Sequence, residues 1–106
     1  MNDKVLHLLK KLSKTPNFKI ISMLEDGAKR WSELERIVDK KSLYYQIQEL
    51  IELGIIQPTI VHNTATGSKA YALTPFGRRI VKLINEIEKL LTEADSGHDS
   101  LNRDHD

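Results

Sequence analysis

The hydrophobic residues of this chain follow a helical period up to Gly54, change to short strand-like runs, and return to a helical period after Thr74. The middle part contains "IIQPTIVHN" and "KAYALT", two β-branched or aromatic runs joined by the turn-rich "NTATGS". Two such runs with a short turn-rich link predict a β-hairpin. The order of these hydrophobic patterns along the chain therefore limits it to a mostly helical fold that contains a β-hairpin.

Two helices are predicted in the first quarter of the chain. The apolar residues of "DKVLHLLKKLSK" form one stripe, and the lysines lie outside it. The segment "TPNFKIISMLEDG" has the start and stop signals of a second helix, with Thr15 as N-cap, Pro16 at the first helical position and Gly27 at the end. Phe18 is expected to face the core, together with the isoleucine and leucine that follow it at helical spacing.

Two further helices are predicted before the hairpin. "RWSELERIVD" indicates a short helix in which Ser32 and Glu35 have the spacing of a capping box. The next helix follows closely, with Asp39 as its N-cap and Gly54 as its end. Two short helices joined tightly and followed by a hairpin have the layout of a winged helix-turn-helix.

The last helix is predicted to begin at Thr74 and Pro75, which repeat the cap-and-proline start. We expect a folded domain over residues 1–94 and a disordered acidic tail over residues 95–106, because the tail has almost no apolar residues and holds four aspartates against one arginine. The whole chain has a formal net charge of +1, so the domain itself is mildly basic. That balance is compatible with nucleic-acid binding.

The composition argues against several classes of function. The chain contains no cysteine, which excludes disulfides, a thiolate zinc site and a cysteine nucleophile. The four histidines lack metal-ligand spacing, and no nucleophile–base pair, glycine-rich phosphate loop or pair of carboxylates stands in a recognisable setting. We expect no enzymatic activity, no metal and no cofactor. No apolar run approaches a membrane span and no signal segment begins the chain, so we expect a cytoplasmic protein without a membrane partner.

The fourth predicted helix, within "SLYYQIQELIELGII", has two different faces. One face is apolar and carries Leu43, Ile47, Leu50 and Ile51. The other is polar or aromatic and carries Lys41, Tyr44, Tyr45, Gln48 and Glu52. In a DNA major groove a tyrosine can contact phosphate or a thymine methyl, and a glutamine can pair with adenine. The alternative is that both tyrosines pack at the rim of the core.

Three segments resemble winged-helix transcriptional regulators of the HxlR and MarR type, namely "KRWSELER", "SLYYQIQELIELGII" and "AYALTPFGRRIVKLI". The most specific element is Tyr-x-Leu-Thr-x-x-Gly, formed here by Tyr71, Leu73, Thr74 and Gly77. The resemblance covers about residues 18–92. Redox-sensing HxlR proteins carry a reactive cysteine, and this chain departs from them by having none. The expected fold class is α+β, mostly helical, a winged helix-turn-helix with extra N- and C-terminal helices.

The candidate DNA contacts lie on the fourth helix, in the wing and at the start of the last helix. They are Lys40, Lys41, Ser42, Tyr44, Tyr45, Gln48, Asn63, Thr64, Lys69 and Arg78. The helix is expected to enter the major groove, and the wing to reach the backbone or the minor groove. The wing could also be an ordinary exposed turn, and Arg78 a solvated charge.

The two terminal helices carry more apolar surface than a body of this size can cover. The residues concerned are Val5, Leu8, Leu9, Leu12, Ile80, Ile84, Ile87 and Leu91. Packing against their copies in a second chain would bury them, as would packing of the two helices on each other within one chain. We expect the homodimer, partly because of the resemblance.

The sequence therefore predicts a homodimeric, sequence-specific regulator of transcription that binds double-stranded DNA. Two alternatives stay open at this point. One is a winged-helix protein-interaction module that does not bind DNA, and the other is a sequence-tolerant, chromatin-like DNA binder. The modest net charge and the glutamates of the fourth helix keep the first alternative open. The DNA target and any small-molecule effector are unknown from the sequence.

Overall fold

The computed structural model describes residues 1–62 and 68–102. The elements in chain order are α1 (Asp3–Leu12), α2 (Thr15–Leu24), β1 (Lys29–Arg30), α3 (Trp31–Leu34), α4 (Lys40–Glu52), β2 (Ile56–Val61), β3 (Ser68–Leu73) and α5 (Pro75–Asn102). Helices dominate, and the three strands form one small antiparallel sheet, with β1 between α2 and α3 in the chain and the β2–β3 hairpin between α4 and α5. The predicted fold class, a mostly helical winged helix-turn-helix with extra helices at both ends, is confirmed.

The sheet has three strands in the order β1-β3-β2. The predicted hairpin is β2–β3, which is paired in antiparallel register from Ile56 opposite Leu73 to Val61 opposite Ser68. The sequence did not predict β1, which places Lys29 opposite Tyr71. A strand of two residues is too short to show an alternating pattern, so only its partner strand defines it.

The core lies between α2, α4 and the sheet, and α4 contributes its predicted apolar face. Leu43, Ile47 and Leu50 are buried, and Ile51 packs at the edge of the core. The other buried hydrophobic residues are Leu12, Ile20, Ile21, Leu24, Leu34, Val38, Ile55, Ile56, Ala70, Leu73 and Val81. α4 is therefore held by one side, and its opposite side is left to solvent.

The prediction that Phe18 faces the core was wrong, because its side chain is 52% exposed. The buried face of α2 is formed instead by Asn17, Ile20, Ile21 and Leu24. These positions follow the three- and four-residue spacing of one helical stripe, and Phe18 stands about 100° away from Asn17. A buried polar residue thus takes the place that the sequence pattern had assigned to an aromatic one.

The predicted starts of α2 and α3 need correction. Thr15 is the first helical residue of α2 and not its cap. α3 begins at Trp31, and its N-terminus is capped by Glu33. The Glu33 carboxylate accepts a hydrogen bond of 3.0 Å from the Arg30 backbone N–H. The expected capping box at Ser32 and Glu35 is therefore displaced by two residues, because pairing of β1 holds Arg30 in extended backbone.

The junction between α4 and α5 explains the Tyr-x-Leu-Thr-x-x-Gly element. Gly54 ends α4 with φ at +76°, a backbone conformation that favours glycine. The Thr74 hydroxyl accepts a hydrogen bond of 2.9 Å from the Gly77 N–H, and it donates to the Gly54 carbonyl. Gly77 lies directly against the Ile55 backbone, where a Cβ would stand 2.1 Å from the Ile55 carbonyl oxygen. These contacts attach the start of α5 to the end of α4.

The last helix is longer than predicted. The expected end was Ala94, but α5 continues to Asn102 and so has 28 residues, which corresponds to about 42 Å. Residues 95–102 contain no proline that would end a helix. The molecule measures 57 Å along its longest axis, so α5 spans most of its length. None of the helices in the described ranges has the length and hydropathy needed to cross a membrane.

Gly77→Ala is expected to lower the free energy of unfolding by about 2–3 kcal/mol, because the new Cβ meets backbone that cannot move aside as a side chain can. Arg79→Ala is the matched control, since Arg79 is exposed in the same first turn of α5. Its effect should stay within about 0.5 kcal/mol of zero. Urea unfolding of the three proteins measures both values, and equal stability of the two variants would contradict the close approach.

Candidate nucleic-acid interface

The exposed face of α4 carries the residues that the sequence analysis assigned to DNA. Lys40, Lys41, Tyr44, Tyr45 and Gln48 are all exposed. The side chains of Tyr44 and Tyr45 are 61% and 66% exposed, and their rings meet edge to face with centroids 6.1 Å apart. The structure thus places both rings in solvent and not at the rim of the core. Two adjacent exposed tyrosines give α4 an aromatic surface with hydroxyl groups at its outer edge.

The N-terminus of α4 is capped by a side chain. The Asp39 carboxylate accepts a hydrogen bond of 3.0 Å from the Ser42 backbone N–H, which confirms the predicted N-cap. That hydrogen bond is the main cause that holds the pKa of Asp39 below its usual value. Ser42 is half-buried, whereas Lys40 and Lys41 are exposed, and neither lysine forms an ion pair with another described residue. Both ammonium groups are available to bind an anion.

The wing is described only in part. Lys69 and His62 are exposed at the outer end of the β2–β3 hairpin, where Lys69 lies opposite Ile60. Asn63 and Thr64, two of the predicted contacts, lie outside the described residues. Lys69 is therefore the predicted wing residue that the structure places on the surface.

Arg78 lies in a different part of the surface. It lines a cleft between α5 and the end of α2, together with Glu25, Leu73, Lys82 and Asn85. Glu25 is joined to α5 by a hydrogen bond of 3.3 Å from the Asn85 amide. No residue of α4 lines this cleft, so the structure does not group Arg78 with the tyrosines of α4.

Glu49 flanks the exposed face of α4, and its charge is neutralised within the chain. Its carboxylate forms ion pairs of 2.9 Å with the Lys11 ammonium and 3.1 Å with the Lys14 ammonium. Burial by itself would raise the pKa of Glu49, but hydrogen bonds from Asn17, Lys11 and Lys14 outweigh it and lower the pKa to about 2. In the sequence the glutamates of this helix kept open the alternative of an interaction module without DNA binding, but the negative charge of Glu49 is compensated by the two lysines.

Asn17 completes this arrangement, and the sequence analysis did not single it out. Its side chain is fully buried, and its amide N–H groups donate to the Lys11 carbonyl at 2.8 Å and to the Glu49 carboxylate at 2.9 Å. The only signal in the sequence is an asparagine on the buried stripe of an apolar helix. Its partner Glu49 is 32 positions away, so no local pattern could identify the pair.

The apolar stripes of the terminal helices divide into an inner and an outer part. Leu12 is 5% exposed and belongs to the core of the single chain, so it does not form part of a free face. The residues Leu8, Ile80 and Ile84 are half-buried against the same core. Ile87 and Leu91 are 52% and 60% exposed, and the further exposed large hydrophobic residues of both helices are Val5, Leu6, Leu9, Phe76, Leu83 and Leu90. α1 packs mainly on α2, and α5 packs mainly on β3.

The comparisons with known proteins agree with this geometry. The HxlR-like helix-turn-helix family matches residues 12–98. The structure of diamide-treated YodB from B. subtilis superposes with a TM-score of 0.73 at 24% identity, covering 88% of this chain and 94% of that chain. The reduced form of the transcriptional regulator YodB from B. subtilis gives 0.73 at 25% identity, covering 84% and 89%. The redox regulator HypR in its oxidized form gives 0.66 at 24% identity, covering 82% and 92%. Comparison with the curated proteins gave no significant match.

The ion pairs of Glu49 predict a dependence of stability on pH. The pKa of Glu49 is about 2 in the folded chain and near its usual 4.5 when unfolded, so the unfolded chain takes up the proton first as the pH falls. The stabilisation is complete above pH 4.5 and is lost between about pH 4.5 and pH 2. We expect a loss on the order of 2 kcal/mol in the free energy of unfolding across that window.

Glu49→Gln should remove most of this dependence, whereas Glu52→Gln should retain it, because Glu52 is exposed on the same helix and forms no ion pair with a described residue. Denaturant unfolding of the three proteins between pH 2 and pH 7 measures it. Parallel curves for the wild type and Glu49→Gln would show that the ion pairs do not contribute.

Proposed function

The chain belongs to the HxlR-like helix-turn-helix family, and on that premise we propose that it acts as a homodimer that reads a specific double-stranded DNA site with α4. The family consists of DNA-binding transcriptional regulators and not of enzymes, and this chain is a regulator of that class. In this proposal α4 enters the major groove, the wing contacts the backbone or the minor groove, and the dimer acts in the cytoplasm.

The observation that carries the proposal is the exposed face of α4. Its apolar face is buried, so the helix is held rigidly, and the opposite face offers Tyr44, Tyr45 and Gln48 to solvent. An α-helix fits the major groove, where each base pair presents a distinct pattern of donors and acceptors. Gln48 can pair with adenine, and the tyrosine rings can contact thymine methyl groups. Two adjacent exposed tyrosines on one helix face form a surface that a ligand can cover.

Phosphate contacts would position the helix in the groove. Lys40 and Lys41 lie in the first turn of α4, where the free backbone N–H groups and the helix dipole already favour an anion. Glu49 lies toward the other end, and its charge is compensated by Lys11 and Lys14. This distribution supports insertion of the N-terminal half of α4. On the wing, Lys69 is the described candidate for a backbone contact.

The assembly follows from the apolar surface of α1 and α5. Each large apolar side chain left in water costs about 1.5–3 kcal/mol relative to burial. A twofold dimer would cover the stripe around Ile87 and Leu91 on both chains at once. It would also present two copies of α4 to half-sites about one helical turn apart, roughly 10 base pairs.

The regulatory signal is a separate matter from DNA binding. These 106 residues contain no cysteine, so they cannot respond to an oxidant by thiol chemistry. A protein-interaction module without DNA binding could also use exposed tyrosines, so a binding experiment must distinguish it from the proposal. The first experiment below distinguishes that alternative, and also the sequence-tolerant binder, from the proposal.

Tyr44→Ala, Tyr45→Ala and Gln48→Ala are each expected to weaken binding to the duplex that the wild type selects from a random library. Loss of one good base contact should cost about 1–3 kcal/mol. The melting temperatures should not change, because the three side chains lie in solvent. Binding isotherms beside thermal melts measure both effects.

Glu52→Ala is the control for these variants, since Glu52 is exposed in the last turn of the same helix. It should bind as tightly as the wild type or more tightly. Wild-type affinity in all three variants would rule out reading by α4. Equal losses on the selected duplex and on an unrelated one would favour the sequence-tolerant alternative.

Ile87→Glu combined with Leu91→Glu is expected to convert the dimer into a monomer, because two charges per chain would enter the proposed interface. Both positions are exposed in the single chain, so the fold should remain. Lys89→Glu on the opposite side of α5 changes the net charge by the same amount and should leave the dimer intact. Sedimentation at micromolar concentration measures the assembly, and a wild type that sediments as a monomer with and without DNA would end the dimer proposal.

A further inference from the structure

Three elements of the fold meet at one carboxylate on the recognition helix. Lys11 lies in the last turn of α1, Lys14 in the link to α2, and Asn17 in the first turn of α2. All three side chains contact Glu49 of α4 within 3.1 Å. We call this group the α1–α4 link. It is polar, and it lies beside the DNA-reading face of α4 without being part of it.

Asn17 fixes the end of α1 relative to α4. One amide side chain donates to the carbonyl of Lys11 and to the carboxylate of Glu49, so it spans the end of α1 and the side of α4. Both hydrogen bonds come from a side chain that is fully buried. A hydrophobic contact can slide, whereas hydrogen bonds to a buried amide specify one distance and one direction. The end of α1 is therefore held at a defined place on α4.

The orientation of the N-terminal half of α1 depends on this attachment. α1 has ten residues, and its apolar anchors to the core, Leu8 and Leu12, lie in its C-terminal half. Val5 and Leu9 are exposed and belong to the face proposed for the dimer. Because the anchors and the link act at the same end, the angle of α1 determines where its outer face meets a second chain.

From these contacts we propose that Glu49 is a positioning residue that determines the spacing of DNA half-sites, by holding the dimer-forming helix α1 at a fixed angle to α4. The inference rests on the proposed function, since it requires a homodimer that reads DNA. In a rigid dimer the two copies of α4 stand at one separation, so only one half-site spacing can be bound by both chains. Loosening the link lets the two copies of α4 move relative to each other, without changing the residues that touch the bases.

The first test measures spacing preference. The binding of three proteins is compared: the wild type, Glu49→Gln and Lys14→Met. Each is titrated with a palindromic duplex that the wild type selects from a random library. The same titration is made with duplexes that have one base pair inserted or removed between the half-sites, and with one half-site alone. The wild type should prefer the selected spacing. Glu49→Gln should keep its half-site affinity, and its preference for the selected spacing should fall by at least about fivefold, in the range of ordinary coupling between two sites.

Two variants make this test decisive. Lys14→Met removes one ion pair from a largely exposed lysine, so it should fold and show a smaller change in the same direction. Glu52→Gln removes the same charge from the same helix outside the link, and it should keep the wild-type preference. An unchanged spacing preference in Glu49→Gln overturns the inference. Equal losses on the palindrome and the half-site also overturn it, because Glu49 would then act within a single copy of α4.

The proposed function is judged separately, from the wild type alone. A wild type that binds the palindrome no better than one half-site overturns the paired reading of half-sites, and the inference falls with it. A wild type with a clear preference that Glu49→Gln shares overturns only the inference. The two failures therefore appear in different proteins of the same series.

The second test needs no DNA. The chain has no cysteine, so Gln48→Cys provides one attachment site for a spin label on α4 of each chain. The distance between the two labels in the dimer should have a narrow distribution, and adding Glu49→Gln should broaden or shift it. An unchanged distribution would show that the link does not set the separation of the two helices. A loss of stability alone does not alter this distance while the dimer is folded.

Discussion

The close packing of Gly77 on the Ile55 backbone is the contact on which the rest of the structure depends. Only a residue without a side chain can approach a carbonyl group to this distance. The approach brings the Thr74 hydroxyl to the Gly54 carbonyl, so the start of α5 is fixed to the end of α4. The hairpin is held between these two points. A single tight junction thereby joins the end of α4, the β2–β3 hairpin and the start of α5.

The electrostatics of α4 follow from how this unit is completed by α1 and α2. A helix that contacts DNA gains from cations near its start and loses from anions along its side. Here Lys40 and Lys41 are free at the start, whereas Glu49 is engaged by two lysines and a buried asparagine. The same contacts that hold α1 on the core also remove the carboxylate as a source of repulsion. Structural support and anion binding are therefore not in conflict on this helix.

The chain belongs to the HxlR-like helix-turn-helix family, and its fold is similar to that of the redox regulator HypR. This chain shares their fold across most of its length and contains no cysteine. The DNA-reading architecture is thus independent of thiol chemistry, as expected when function resides in sites and not in the fold. The two terminal helices differ along their length, because their inner residues complete the core and their outer apolar residues are exposed.

Much of the fold and part of the site could be predicted because they depend on neighbours in the sequence. The apolar face of α4, the Asp39 cap, the hairpin and the start of α5 each arise from spacings of two to four residues, which local backbone geometry converts directly into structure. The exposure of Tyr44 and Tyr45 follows from the same spacing. Phe18 shows the limit, because its exposure depends on which stripe of α2 meets α4.

Tertiary structure alone decided the contacts between residues distant in the chain. The strand β1 exists only because β3 offers it a partner, and the pairing of Glu49 with Asn17 joins positions that no periodic pattern relates. Leu12 and Ile87 look alike in the sequence, yet one is in the core and the other in solvent. Burial and charge compensation are properties of the three-dimensional arrangement. The sequence by itself determined the helices and their faces, and the packing determined which faces remain free to bind.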